Sequence, residues 1–184
     1  MLVKEIVALA AHCLGREDLY AAAKSLADRP KGELFALLRC YNLVENEIAL
    51  EYIPLKREEV LSVENGFLPF YSLSSVPVHI KRITDEGGNP MDFTLLSDGI
   101  KLRGKADRVT VLYDYSPVEK GWNDQSEYGG KVSARLMAEG TAGEFCLTNG
   151  QFSEAAAWDQ KYRDALRSAY LVRKKLKIRP RRWV

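Results

Sequence analysis

Histidine is scarce in this 184-residue sequence, where only His12 and His79 titrate near neutrality. Acid–base or nucleophilic catalysis needs such groups gathered in one place, and these two fall in different segments. His12 precedes Cys13 on a helical stretch, where neighbours point about 100° apart and cannot serve each other as base and nucleophile. His79 alternates out of phase with Val78 and Ile80, which turns it toward solvent or a partner. Cysteine is scarce as well. Cys13, Cys40 and Cys146 are odd in number, far apart and set in apolar helical contexts without Cys-x-x-Cys spacing, so buried thiols are expected. The phosphate-cradling patterns G-x-x-x-x-G-K-[ST] and G-x-G-x-x-G do not occur. No apolar run approaches membrane-spanning length, and Lys4, Glu5 and His12 come too early for a signal peptide. These absences lead us to expect a cytoplasmic protein with no membrane partner, no cofactor, no metal and no enzymatic activity.

The aspartates are the one remaining route to catalysis. A small metal-dependent hydrolase or nuclease is the competing reading, with Asp107, Asp114 and Asp124 as its ligands. They lie in or beside a strand and a loop without a histidine or metal pattern, and they read as surface charge. The acidic run Asp85-Glu86-Gly87-Gly88-Asn89 lacks the spacing and closing glutamate of a calcium loop and reads as a hairpin turn.

What is abundant is positive charge in one place. Arg173, Lys174, Lys175, Lys177, Arg179, Arg181 and Arg182 lie within residues 173–184; setting them aside turns the net charge of +2 into −5 for residues 1–172. An acidic body with a basic arm suggests an arm that meets something negative, either nucleic acid or an acidic neighbouring subunit; the plain alternative is a solvated end. Ile178, Trp183 and Val184 interleave apolar groups, a composition that tracks a phosphate backbone or docks on protein, and Pro180 ends any helix there. The candidate partner-binding residues are therefore these seven cations and Trp183.

Periodicity gives an α+β fold, with a helical bundle drawn from both ends of the chain and an inserted antiparallel β-rich region. Short helices are expected over 3–14 and 17–27, and a longer one over 33–53 on the stripe Leu34, Leu37, Leu38, Tyr41, Val44, Ile48 and Tyr52, ended by Pro54. The period then falls to two. Short strands between 57 and 115 imply an antiparallel sheet or small barrel of about five or six strands, with Val76, Val78 and Ile80 sharing one face. The helical period returns over 128–148, where Val132, Leu136, Gly140, Gly143 and Leu147 share a face and small residues invite a close neighbour. Asn149-Gly150 stops that helix. A partner over 152–174 completes an antiparallel hairpin, with Ala155, Trp158, Tyr162, Leu166 and Ala169 inside. Trp158 and Tyr162 are both expected to be buried. The hairpin is a poor DNA-reading helix-turn-helix, because Ser153–Asp159 is acidic and apolar where a recognition helix is basic and polar. The expected division is one domain: helices 1–53, β insertion 57–115, hairpin 128–174, basic arm 175–184.

Four stretches carry a resemblance: LVENEIALEY at 43–52, VTVLYDYSP at 109–117, EGTAGEFCL at 139–147 and FSEAAAWDQKYRDAL at 152–166. Together they resemble phage and prophage head-to-tail connector or tail-tube adaptor proteins, in which a helical bundle carries an inserted β-rich region. The resemblance is one of layout and packing motifs over residues 35–184. It implies a non-catalytic structural subunit of a cyclic oligomer around a DNA channel, with portal and tail proteins as neighbours and a place in the virion. The second reading is a non-catalytic nucleic-acid-binding protein that uses its basic arm without regard to sequence.

Overall fold

A computed structural model describes residues 1–26, 29–130 and 132–171, which fall into two compact units. One is helical and formed by described residues of 1–44 and 120–184; the other is β-rich and spans 45–119. Among the described residues, five α-helices and two small antiparallel sheets make the fold α+β, with helices toward both ends of the chain and the strands between.

In the helical unit, α1 (Val3–Cys13) opens with the Glu5 carboxylate accepting from the Leu2 N–H at 3.2 Å. It buries Val3, Ile6, Val7 and Ala10 against α4 (Ala134–Thr148). The second helix, α2 (Glu17–Ser25), also leans on α1, and α5 (Phe152–Leu171) runs back along α4. Of the stretch expected to open the helix, residues 128–130, 132 and 133 are irregular: Gly130 takes φ 90° and Ser133 caps α4 by accepting from the Leu136 N–H at 3.1 Å. The stop at Asn149-Gly150 is as expected: Gly150 adopts φ 75° and the Gln151 N–H returns to the Cys146 carbonyl at 2.9 Å.

Arg16 ties the start of α2 to the start of α3 (Glu33–Glu47). Its guanidinium donates to both oxygens of Asp18 and both of Glu33 at 2.7–2.9 Å. Those hydrogen bonds hold the Asp18 carboxyl down to about 2 and lower that of Glu33. Carboxyls whose native values lie below their unfolded 3.8 and 4.5 favour folding fully above that range, and the benefit disappears as pH falls toward 2. Thermal melts taken from neutral to acid pH should therefore be flat until about 4.5 and then decline, and Arg16→Gln should flatten part of the decline.

The expected 33–53 helix is shorter. After Glu47 the chain widens into a π turn, Ile48–Tyr52, closed by Ile53 N–H to the Ile48 carbonyl at 2.7 Å. Pro54 then keeps Ile53 out of the helical region, at φ −132° and ψ 80°.

The β unit holds two three-stranded sheets rather than one sheet or barrel. Strands β1 (Leu55–Ser62), β6 (Arg108–Tyr115) and β3 (Pro77–Thr84) form one, in the order β1-β6-β3. Strands β2 (Phe67–Pro69), β5 (Gly99–Arg103) and β4 (Asp92–Leu95) form the other, in the order β2-β5-β4. The Asp85–Asn89 turn is present, with the Asn89 N–H donating to Asp85 Oδ1 at 2.8 Å. Beyond it the chain returns along the end of β3 through the isolated bridge Thr84↔Pro90 and a bond from the Met91 N–H to the Ile83 carbonyl at 2.9 Å, and proline has no N–H with which to extend the ladder. The shared face expected for Val76, Val78 and Ile80 is overturned. Register shifts between Pro77 and His79 and between Ile80 and Arg82 leave Val76 and Val78 exposed, and only Ile83 and Thr84 of β3 are buried.

Candidate functional site

The residues assigned to partner binding, Arg173, Lys174, Lys175, Lys177, Arg179, Arg181, Arg182 and Trp183, lie outside the described residues. The remaining sequence candidates can be placed. His12 is exposed on α1, its Nδ1 2.6 Å from Glu17 Oε1 and its ring tilted against Tyr20. His79 is exposed on β3, as its phase suggested. The thiols differ from expectation at one position, for Cys40 and Cys146 are buried but Cys13 is half-exposed. Burial pushes all three upward in pKa, and at Cys13 the nearby Glu139 adds to this, so none is a ready thiolate. Among the described residues no group of three His, Cys, Asp or Glu side chains is placed to hold a metal ion.

Two of the three aspartates are surface charge. Asp107 is exposed, and Asp124 is exposed while accepting from the Gly121 N–H at 2.7 Å. Asp114 is a correction, because it is 3% exposed. It points from the middle strand β6 away from the face that buries Val109, Val111 and Tyr113, which is why alternation hid its burial. Lys81 Nζ reaches Asp114 Oδ2 at 2.8 Å, while Oδ1 has no hydrogen-bond partner among the described residues. The pair is asymmetric: the lysine side chain is 44% exposed and the aspartate 4%. Removing Asp114 leaves an ammonium that water can solvate, whereas removing Lys81 strands a buried carboxylate. Urea unfolding should show Lys81→Met costing about 2 kcal/mol and Asp114→Asn less than about 1 kcal/mol.

On the opposite face of the same sheet a second polar cluster is held beneath the 70–76 segment. Arg57 donates to Ser74 Oγ at 2.9 Å and to Ser75 Oγ at 2.7 Å, with its guanidinium 4.5 Å from the centre of the Tyr115 ring. Glu59 accepts from the Ser74 N–H at 3.2 Å and from the Ser74 hydroxyl. Burial opposes the charge on Glu59, but those hydrogen bonds outweigh it and its pKa is lowered. Burial raises that of the neighbouring Tyr113. This cluster fastens the covering segment to the strand pair. The period-two spacing of Arg57 and Glu59 was its only sequence signal.

The helical unit centres on α4, which is buried on nearly every side from Leu136 to Cys146. A Cβ on Gly140 would lie 2.9 Å from both the Tyr162 ring and Val44 Cγ1, so the glycine sets how closely α5 and α3 approach α4. Gly143 likewise faces Trp158 Cβ, at 3.4 Å from where its own Cβ would stand. Tyr162 is 3% exposed, as expected. Trp158 is only partly buried, with Lys161 Nζ 4.2 Å above its ring. Leu147, assigned to the inner face, is exposed at the end of α4.

A loop the sequence left unassigned secures the start of the chain. Asn42 clamps Lys120, donating to its carbonyl at 3.0 Å and accepting from its N–H at 2.7 Å. Beyond this clamp, Trp122 donates its indole N–H to the Leu26 carbonyl, and Leu2 bridges Gln125. No helix among the described residues is long and apolar enough to cross a membrane. Comparison with protein-family models and with curated proteins gives no match.

Proposed function

We propose that this chain is a structural assembly component, a head-to-tail connector subunit of a phage or prophage that works as a ring around DNA. The observation that carries the reading is the division of charge: seven cations within residues 173–184, against a net −5 over residues 1–172. Folding stability gives no reason to concentrate like charge, because the repulsion must be relieved by salt, solvent or an acidic partner. The acidic body of a neighbouring copy is one such partner, with Trp183 as an apolar anchor. The layout shared with connector proteins supports the same conclusion, as does the glycine-lined approach of helices from both ends of the chain.

The same charge division favours a second reading, in which the chain binds DNA through this segment without being part of a ring. Truncation to residues 1–172 separates the readings. In the connector reading the truncated chain keeps its fold by circular dichroism but loses self-association. Loss of DNA retention alone, with association intact, supports the second reading. DNA held through about seven phosphate contacts should be released steeply as salt rises. A truncated chain that unfolds would place the segment in the core and remove both.

A further inference from the structure

Two surfaces of the helical unit are apolar and carry opposite net charge. The first is a groove of about 470 Å³ between α1 and α2. Ala8, Leu9 and Ala23 are among its apolar lining, and Lys4, Tyr20 and Lys24 stand around it. Neither ammonium has a carboxylate within ion-pair distance among the described residues. Lys24 lies 4.4 Å over the Tyr20 ring, and Lys4 reaches only Asn123 Oδ1, at 3.4 Å. Glu5, also on the groove, keeps its negative charge while accepting from the Leu2 N–H, so against Lys4 and Lys24 the groove carries one net positive charge around an apolar floor.

The second surface is the turn between α4 and α5. Phe152 is 70% exposed and Leu147 49% exposed, an apolar tip left open among the described residues. Residues 144–154 contain no lysine or arginine and two carboxylates, Glu144 and Glu154. Neither carboxylate is ion-paired among the described residues. The tip is therefore the converse of the groove, apolar side chains accompanied by negative charge.

We infer that the α4–α5 tip of one copy seats Phe152 and Leu147 in the α1–α2 groove of a second copy, with Glu154 and Glu144 meeting Lys24 and Lys4. The inference rests on the assembly reading and names its contact. Two different patches of one chain meet, so the association is heterologous; it closes into a ring or extends as a filament and does not stop at a two-fold dimer. A groove of this volume lies in the range that buries a compact apolar group, and flanking charges fix partner and register more than raw affinity.

Sedimentation of the full chain across a concentration series tests the contact, with circular dichroism of each variant as the check on folding. Phe152→Ser should weaken self-association at least about tenfold, as loss of a central apolar anchor does. Lys24→Glu and Glu154→Lys should each weaken it about tenfold by placing like charges together. The double variant Lys24→Glu with Glu154→Lys should recover association. So should an equimolar mixture of the two single variants, in which alternating copies restore every pairing. If the wild type associates and these variants associate equally well, the contact is wrong and the assembly reading stands on another surface. If the variants weaken association but neither the double variant nor the mixture recovers it, the pairing of tip and groove is overturned. A wild type that remains monomeric at every concentration removes the contact together with the ring.

Discussion

Tyr162→Ala should lower the free energy of unfolding by about 3–5 kcal/mol, the range for deleting a fully buried ring. Its ring lies against Gly140 of α4, which has no side chain, and the next residue along that face is Gly143, so α4 has little with which to refill the space. Trp158→Ala, four residues earlier on the same helix, should cost less, about 2–3 kcal/mol, since its side chain is only partly buried and part of the burial energy is never gained. Equilibrium urea unfolding followed by circular dichroism gives both values. Equal costs, or a larger cost at Trp158, would contradict the arrangement of α5 on α4.

Gly99→Val carries the second large effect, in the β unit. A Cβ at this position would stand 2.6 Å from the Leu68 carbonyl oxygen and 2.5 Å from Phe67 Cζ. The aromatic carbon can swing aside, but the carbonyl is backbone of β2, paired with β5 at Pro69↔Gly99 and Leu68↔Ile100. Relieving the clash means separating the strands, and overpacking of this kind costs about 3 kcal/mol. The same measurement applies, and Gly88→Ala in the exposed turn, where a Cβ meets nothing within 4 Å but φ is 79°, gives a reference for conformational strain without collision. A Gly99→Val loss no larger than that reference would mean that the β2–β5 approach is looser than described.

The helical frame was legible because its signals are local. Leu34, Leu37, Leu38, Tyr41 and Val44 recur at helical steps and are all buried, and Asn149-Gly150 ends α4 where the residue types require. The strands were legible as strands, but their faces were not. Two bulges in β3 break strict alternation, and nothing in Val76–Thr84 marks them, since no glycine sits at either shift. Asp114 was misread for a related reason: alternation placed it away from the Val109, Val111 and Tyr113 face, and burial on the other side depends on Lys81 from a strand 33 positions earlier in the chain. Leu147 and Trp158 sit on the expected stripes, yet Leu147 is exposed and Trp158 is only partly buried. A stripe defines a direction around a helix, and where along its length a neighbour ends is a tertiary fact. The candidate groove was hidden for the same reason, because Leu9 and Lys24 come together only when α2 folds back on α1.

The central claim is that copies of this chain assemble into a ring. Light scattering of the purified full chain, with electron microscopy of the same sample, tests it directly. The account predicts closed particles of one defined subunit number with an open centre, dispersing into smaller species when Phe152 is replaced by serine. A mass equal to one chain at every concentration, with no closed particles in the images, would contradict it.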